Sequence, residues 1–264
     1  MSLPQVTLDS ARPLVAGSFG NAESLAAASI HGVRQACDLV EIRLDLLESE
    51  GALTSSRPWA HLEGLPLLFT ARRGDEGGAA NLPAERRMDL LAAVLGEAAL
   101  IDVEWASAEE MAPLLSKLRE AGIPWVASWH DFEGRPGSFD LIPAMAAQAA
   151  AAGAACFKAA LRLHDLAGLA RLAELQKAAT SPTALMGMGP LAPASRLLCA
   201  QHGSVLNYGY IGNAPTAPGQ WSATLLKEAI RQSLPAHPAG HPETASHSAW
   251  SKSGCPGSTQ APDP

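Results

Sequence analysis

The chain has no C-x-x-C pair: Cys37, Cys156, Cys199 and Cys255 are scattered through its 264 residues. A chain of this size does not depend on disulfide staples, so these are expected to be reduced thiols of a cytoplasmic protein. It also has no apolar run approaching the ~18 residues of a membrane span, so no membrane association is expected. The opening, "MSLPQVTLDSARPLVAGSFG", lacks a basic segment followed by an apolar one, and no signal peptide is expected. There is no basic surplus either. A formal charge of -7 and a pI near 5.6 argue against nucleic acid or an anionic membrane as partner, since both favour a basic face. No Gly-rich dinucleotide or phosphate loop is present. Lysine is scarce, confined to Lys117, Lys158, Lys177, Lys227 and Lys252.

What the chain does have is a 47% hydrophobic composition, ample for a large core. Short apolar runs alternate with helical patterns almost to the end. Candidate strands are "LVAGSF" near Leu14, "DLVEIRLDLL" near Val40, "LPLLFTAR" near Leu68, "ALIDVEW" near Val103, "PWVASWH" near Val126, "ACFKAAL" around Lys158, "TALMGM" near Leu185 and "GSVLNYG" near Val205. Ser107 and Glu110 form a capping box, followed by Met111, Leu114, Leu115 and Leu118 on one helical face, with Gly122 as the stop. Met88, Leu91, Ala92 and Leu95 repeat that spacing in a helix begun near Pro83. This alternation predicts an α/β fold, a (β/α)8 TIM barrel of eight parallel strands ringed by helices over residues 1–233. A doubly wound open sheet is the structural competitor.

From residue 234 the character changes. "PAHPAGHPETASHSAWSKSGCPGSTQAPDP" is rich in Pro, Gly, Ser and His and holds only Glu243, Lys252 and Asp263 as charges. Such a segment buries too little apolar surface to order itself, and 234–264 is expected to be a disordered tail. His237, His241 and His247 are irregularly spaced and read as incidental histidines rather than a metal site.

Strand side chains alternate between two faces. In "VEIRLD", Val40, Ile42 and Leu44 share one face, and Glu41, Arg43 and Asp45 share the other. If the apolar set meets the helices, Glu41 and Arg43 point into the barrel. The same parity places Thr70 with Arg72, Asp102 with Glu104, Ser128 with His130, and Cys156 with Lys158. An ordinary barrel interior is layered Val, Ile and Leu, and active sites sit at the strands' C-terminal ends. A polar interior at that end therefore predicts a reaction centre.

Among the lysines only Lys158 falls within a strand. Two readings stand side by side: a structural buried ion pair with Glu41 or Glu104, or an amine whose pKa is lowered by desolvation and neighbouring cations so that its lone pair attacks a carbonyl. Among the histidines, His130 at a strand's C-terminal end is the preferred base, with His164 in reserve; His31, His61 and His202 read as helix or loop residues.

Taken in order, "EIRLD" (Glu41–Asp45), "FTARRGDEGG" (Phe69–Gly78), "SWHDF" (Ser128–Phe132), "CFKAA" (Cys156–Ala160), "MGPLAPASR" (Met188–Arg196), "GSVLNYG" (Gly203–Gly209) and "APGQ" (Ala217–Gln220) resemble type I 3-dehydroquinate dehydratase. The resemblance covers nearly the whole chain except the tail. It implies a (β/α)8 Schiff-base lyase of the shikimate pathway, with 3-dehydroquinate as its small-molecule substrate, no cofactor and no metal, assembled as a homodimer. Carried across by motif, Lys158 forms the imine, His130 is the general acid/base, and Glu76 orients His130. Arg196 grips the substrate carboxylate, Glu41, Arg43 and Arg72 bind hydroxyls and shape the pocket, and Gln220 with Thr216 closes the site. Two positions depart from the family pattern: Ala192 stands where a second glycine is usual, and Thr216 where serine is common. The rival readings are another Schiff-base barrel, such as a class I aldolase acting on sugar phosphates, and a non-catalytic ligand-binding barrel that keeps the pocket.

Overall fold

A computed structural model describes residues 4–53, 57–79 and 81–234. The tail expected after 234 lies outside the described residues. The candidate strands form β1 (Leu14–Phe19), β2 (Leu39–Arg43), β3 (Leu67–Thr70), β4 (Leu100–Glu104), β5 (Trp125–Asp131), β6 (Cys156–Arg162), β7 (Thr183–Met188) and β8 (Leu206–Ile211). Helices α1 (Ala22–Ala27) and α2 (Ile30–Ala36) follow β1. Then α3 (Leu44–Ser49), α4 (Ala84–Ala93), α5 (Ala112–Ala121), α6 (Ser138–Ala151), α7 (Leu166–Lys177), α8 (Ala192–Gln201) and α9 (Ala223–Ser233) follow β2 to β8 in turn.

All strand pairs are parallel, in the order β7-β6-β5-β4-β3-β2-β1-β8. Beside β7, the Val205 N–H reaches Thr183 O at 3.1 Å. The sheet thus curls into a nearly closed ring, the (β/α)8 barrel, and not an open doubly wound sheet.

Register builds the interior in layers. The lowest fully buried inward residues are Ala16, Leu39, Leu68, Leu100, Val126, Cys156, Ala184 and Leu206, an apolar floor against which Leu14 packs. The side-chain period of two makes the next inward layer Ser18, Glu41, Thr70, Asp102, Ser128, Lys158, Met186 and Tyr208, polar except for Met186 and buried throughout. The alternate residues, among them Val40, Ile42, Phe69, Ile101, Val103, Phe157, Ala159 and Leu185, pack outward against the helices. Each large side chain in that layer contributes about 1.5–3 kcal/mol of burial, which offsets the cost of a charged interior.

Three local expectations are corrected. The run through "LDLL" does not continue as strand: β2 stops at Arg43, and Leu44 opens α3. Asp45 is therefore not an inward strand residue but a buried helix residue that grips Arg43 through Nε at 2.8 Å and a second nitrogen at 2.7 Å. Ser107 and Glu110 do not cap a helix. A 3-10 turn, Trp105–Ser107, intervenes, and α5 starts only at Ala112, where Pro113 suits a first turn that needs no N–H. Both residues bind Arg87 instead, at 3.1 and 2.6 Å. Leu95 lies beyond α4, which ends at Ala93; Leu90 and Leu91 face the core together with Arg87. Gly122, at φ 66°, does close α5.

Candidate active site

At the C-terminal mouth, a cavity of about 530 Å³ including its opening is lined by Glu41, Arg43, Arg72, Glu76, His130, Lys158, Arg196, Thr216 and Gln220. Every residue to which the resemblance gives a role is thus brought to one cavity. His164 is not: it sits on the following loop, its Nε2 2.9 Å from the Glu133 carbonyl oxygen. Ser18, Phe132, Met186, Met188 and Tyr208 also line the cavity. Ser18, Met186 and Tyr208 follow from strand parity once each register is known, whereas Phe132 depends on the course of a loop.

Lys158 Nζ lies 3.2 Å from Asp102 Oδ2 and 4.2 Å from the centre of the Tyr208 ring. The partner of the amine is therefore Asp102, and neither Glu41 nor Glu104. Glu104 accepts from Arg72 at 2.9 Å and from Arg87 at 2.8 Å. Glu41 accepts from the hydroxyls of Ser18 and, at 3.0 Å, Thr70. Asp102 also meets Arg72 at 2.9 Å and accepts from Ser128 Oγ at 2.6 Å. Burial raises the Asp102 carboxyl, but Arg72 and Lys158 outweigh it and hold it at about 2. For Lys158, burial dominates: its pKa falls below the ordinary value despite Asp102, with Arg72 pushing the same way as burial. A buried amine under that pressure is poised to lose its proton.

His130, on β5, is fixed by Glu76, whose Oε2 lies 2.9 Å from both the His130 backbone N–H and Nδ1. Glu76 stands on a 3-10 turn, Gly74–Glu76, that Gly77 terminates at φ 88°. With Nδ1–H donated to the carboxylate, Nε2 carries the free lone pair. Burial, then Arg72, Lys158 and Arg43, drive the imidazole well below its ordinary pKa, so it is neutral. Burial likewise pushes Glu76 up to about 7. Phe132 stacks over His130 with ring centres 6.3 Å apart and covers it.

Arg196 projects from α8 and is 2% exposed. Its guanidinium donates to backbone carbonyls only: Gly187 O at 2.8 Å, Tyr208 O at 3.0 Å and Ala192 O at 3.5 Å. It has no acidic partner among the described residues, and burial lowers it to about 10. A buried cation held by neutral carbonyls is matched to an incoming anion. Gln220 Oε1 accepts from Thr216 N–H and Oγ1, both at 2.8 Å, which folds the loop after β8 over the mouth.

A buried amine and a neutral imidazole facing one polar cup at the C-terminal end of a (β/α)8 barrel define a barrel enzyme for a small polar molecule. A model of the type I 3-dehydroquinase family matches residues 19–234. The chain belongs to that family and is a hydro-lyase. It is similar to the 3-dehydroquinate dehydratase of Methanothrix thermoacetophila, with 31% identity across 88% of this chain and 98% of that protein. The corresponding protein of Shouchella clausii is 33% identical across 73% and 80% of the two chains. The solved 3-dehydroquinate dehydratase of Geobacillus kaustophilus superposes with a TM-score of 0.71 at 25% identity, covering 84% of this chain and 91% of that one.

Proposed function

We propose that the protein converts 3-dehydroquinate to 3-dehydroshikimate, a step of the shikimate route to aromatic amino acids, through an imine on Lys158. The observation that carries this reading is the meeting of two nitrogens in one cavity: the amine of Lys158, whose pKa burial lowers, and the free Nε2 of the neutral His130. The amine adds to the ring ketone, and loss of water gives an iminium that acts as an electron sink for the neighbouring C–H bond. His130 Nε2 takes that proton, leaving an enamine. The resulting imidazolium, crowded by Arg72 and Arg43, is a strong acid and returns the proton to the departing hydroxyl. Glu76 fixes the tautomer and stabilises the imidazolium between the two transfers. Water then hydrolyses the product imine and frees Lys158.

Arg196 pairs with the substrate carboxylate through its planar fork. Glu41, with Arg43 and Arg72, receives the ring hydroxyls, and Gln220 with Thr216 covers them. The homodimer and the cytoplasmic location belong to the same proposal and rest on family likeness alone.

Borohydride reduction in the presence of 3-dehydroquinate tests the reading. The expected result is a stable adduct mapping to the Lys158 peptide, retained in His130→Ala while turnover falls by about 10²–10⁴-fold. No adduct at Lys158, or undiminished turnover in His130→Ala, would overturn it.

A further inference from the structure

Tyr208 carries a polar group that this scheme leaves idle. It is the second inward residue of β8, only 4% exposed, and its ring faces Lys158 Nζ at 4.2 Å. Among the described residues, two buried side-chain polar atoms lack a hydrogen-bond partner: Tyr208 Oη and Arg87 Nε. The Arg87 guanidinium is otherwise well served, by Glu104, Ser107 and Glu110. Tyr208 has one polar side-chain atom, and it is the orphan.

A hydroxyl left dry costs about 1–3 kcal/mol. Buried polar groups almost always find a partner, and ordered water fills that role where the protein supplies none. Burial, with the carboxylates of Asp102 and Glu41 nearby, raises the phenol well above its ordinary pKa. It therefore stays protonated, with one proton to donate and lone pairs to accept. A neutral, unpartnered hydroxyl on the ring that faces the reactive amine is well suited to hold a water molecule.

The imine scheme, on which this inference rests, needs water beside Lys158 twice. As the imine forms, nitrogen bonds to the ketone carbon and passes one of its protons to the carbonyl oxygen. The C–O bond then breaks, the oxygen takes a second proton and leaves as water, and the nitrogen lone pair completes C=N. On product release a water oxygen adds to that same carbon and gives up a proton. That proton passes to nitrogen, the C–N bond breaks with its electron pair returning to nitrogen, and the remaining hydroxyl proton leaves as the carbonyl is restored. In each direction the oxygen sits on the carbon attached to Nζ, beside the groups that flank Nζ. We propose that Tyr208 Oη is the water-holding group of this enzyme, binding the water expelled in imine formation and presenting water for imine hydrolysis.

Tyr208→Phe removes the hydroxyl and keeps the ring. In single-turnover reactions quenched with borohydride at intervals, the Lys158 adduct should appear and decay about tenfold more slowly in this variant, the effect of one lost hydrogen bond. Conversion of the formed adduct from substrate ring to product ring should keep its rate, which a general packing defect would not spare. Unchanged rise and decay would overturn the proposal. A crystal structure of the unaltered protein gives a second measure that does not depend on the variant folding: an ordered water within about 3.2 Å of Tyr208 Oη is expected, and a dry hydroxyl would overturn the proposal. Absence of any Lys158 adduct in the unaltered protein is a different result. It would remove the imine scheme itself, and this inference with it.

Discussion

Lys158 and Asp102 face each other from β6 and β4, two strands apart, with Ser128 of β5 in register with Lys158 and donating its hydroxyl to Asp102. The carboxylate favours the ammonium, while burial and Arg72 favour the free amine. Asp102→Asn keeps the shape and removes the charge that opposes deprotonation, so the Lys158 pKa should fall further. Neutral amine is the reacting form, and it would then persist to lower pH. The midpoint for adduct formation, measured by borohydride trapping across pH, should move acidward by about one unit or more. A midpoint that stays put or moves alkaline would remove Asp102 from this role. Strand parity in the sequence placed Asp102 in the interior together with Lys158, but it does not say which carboxylate reaches the amine. That depends on the stagger of β4 against β5 and β6, a property of the closed barrel that no single segment carries. The orphan hydroxyl of Tyr208 is hidden for the same reason, because its neighbours come from strands distant in the chain.

Elements show the opposite balance. All eight strands were legible as apolar runs, because a parallel strand buried on both faces reads that way wherever it falls. Their ends were not. At Arg43 and at Glu104, ionic partners beyond the strands take over the side chains: Asp45 on α3 for Arg43, and Arg72 after β3 with Arg87 on α4 for Glu104. Those partnerships, Arg43 with Asp45 and Glu104 with Arg72 and Arg87, outweigh the local pattern that favours a longer strand or an earlier cap. The loop after β8 is likewise shaped by a neighbouring segment. Pro218 O accepts from Gly189 N–H at 3.1 Å, and Gly219, at φ 73°, lies so close that a Cβ there would strike the Gly189 carbonyl and come within 3.1 Å of Ala192 Cβ. The bare Gly219 is what accommodates the alanine at 192, and Arg196 keeps its carbonyl cradle. Gly219→Ala should therefore unseat the loop that carries Thr216 and Gln220. Strain of about 1–3 kcal/mol should appear as a KM raised about tenfold, with kcat changed far less, because these residues bind ground state and transition state alike. A variant whose KM is unchanged would show that the clasp has no part in holding substrate.

At the scale of the whole molecule, the barrel answers a problem that its sequence poses: acidic and basic groups placed in strands that must be buried. The apolar floor seals the lower half and the helix-facing layer supplies the burial, so the charged cup stands on a hydrophobic platform. Within the cup, the charges neutralise one another in short ionic contacts. Arg72 bridges Asp102 and Glu104, Arg43 pairs with Asp45, and Arg196 alone of the buried arginines is left without an acid among the described residues. This self-contained circuit bears on the last thirty residues. The ring closes between β7 and β8, α9 packs Leu226 and Ile230 into the core and ends at Ser233, and the family match ends at residue 234. Every group assigned a chemical role lies before Trp221 in the chain. If the cup is complete in itself, truncation after Leu234 leaves every described cavity and core residue in place. Turnover of 3-dehydroquinate by the shortened chain should stay within about twofold of the full chain, and its melting temperature within a few degrees, as for changes remote from core and site. A collapse of turnover with the melting temperature preserved would mean that residues 235–264 reach the cup and take part in its chemistry.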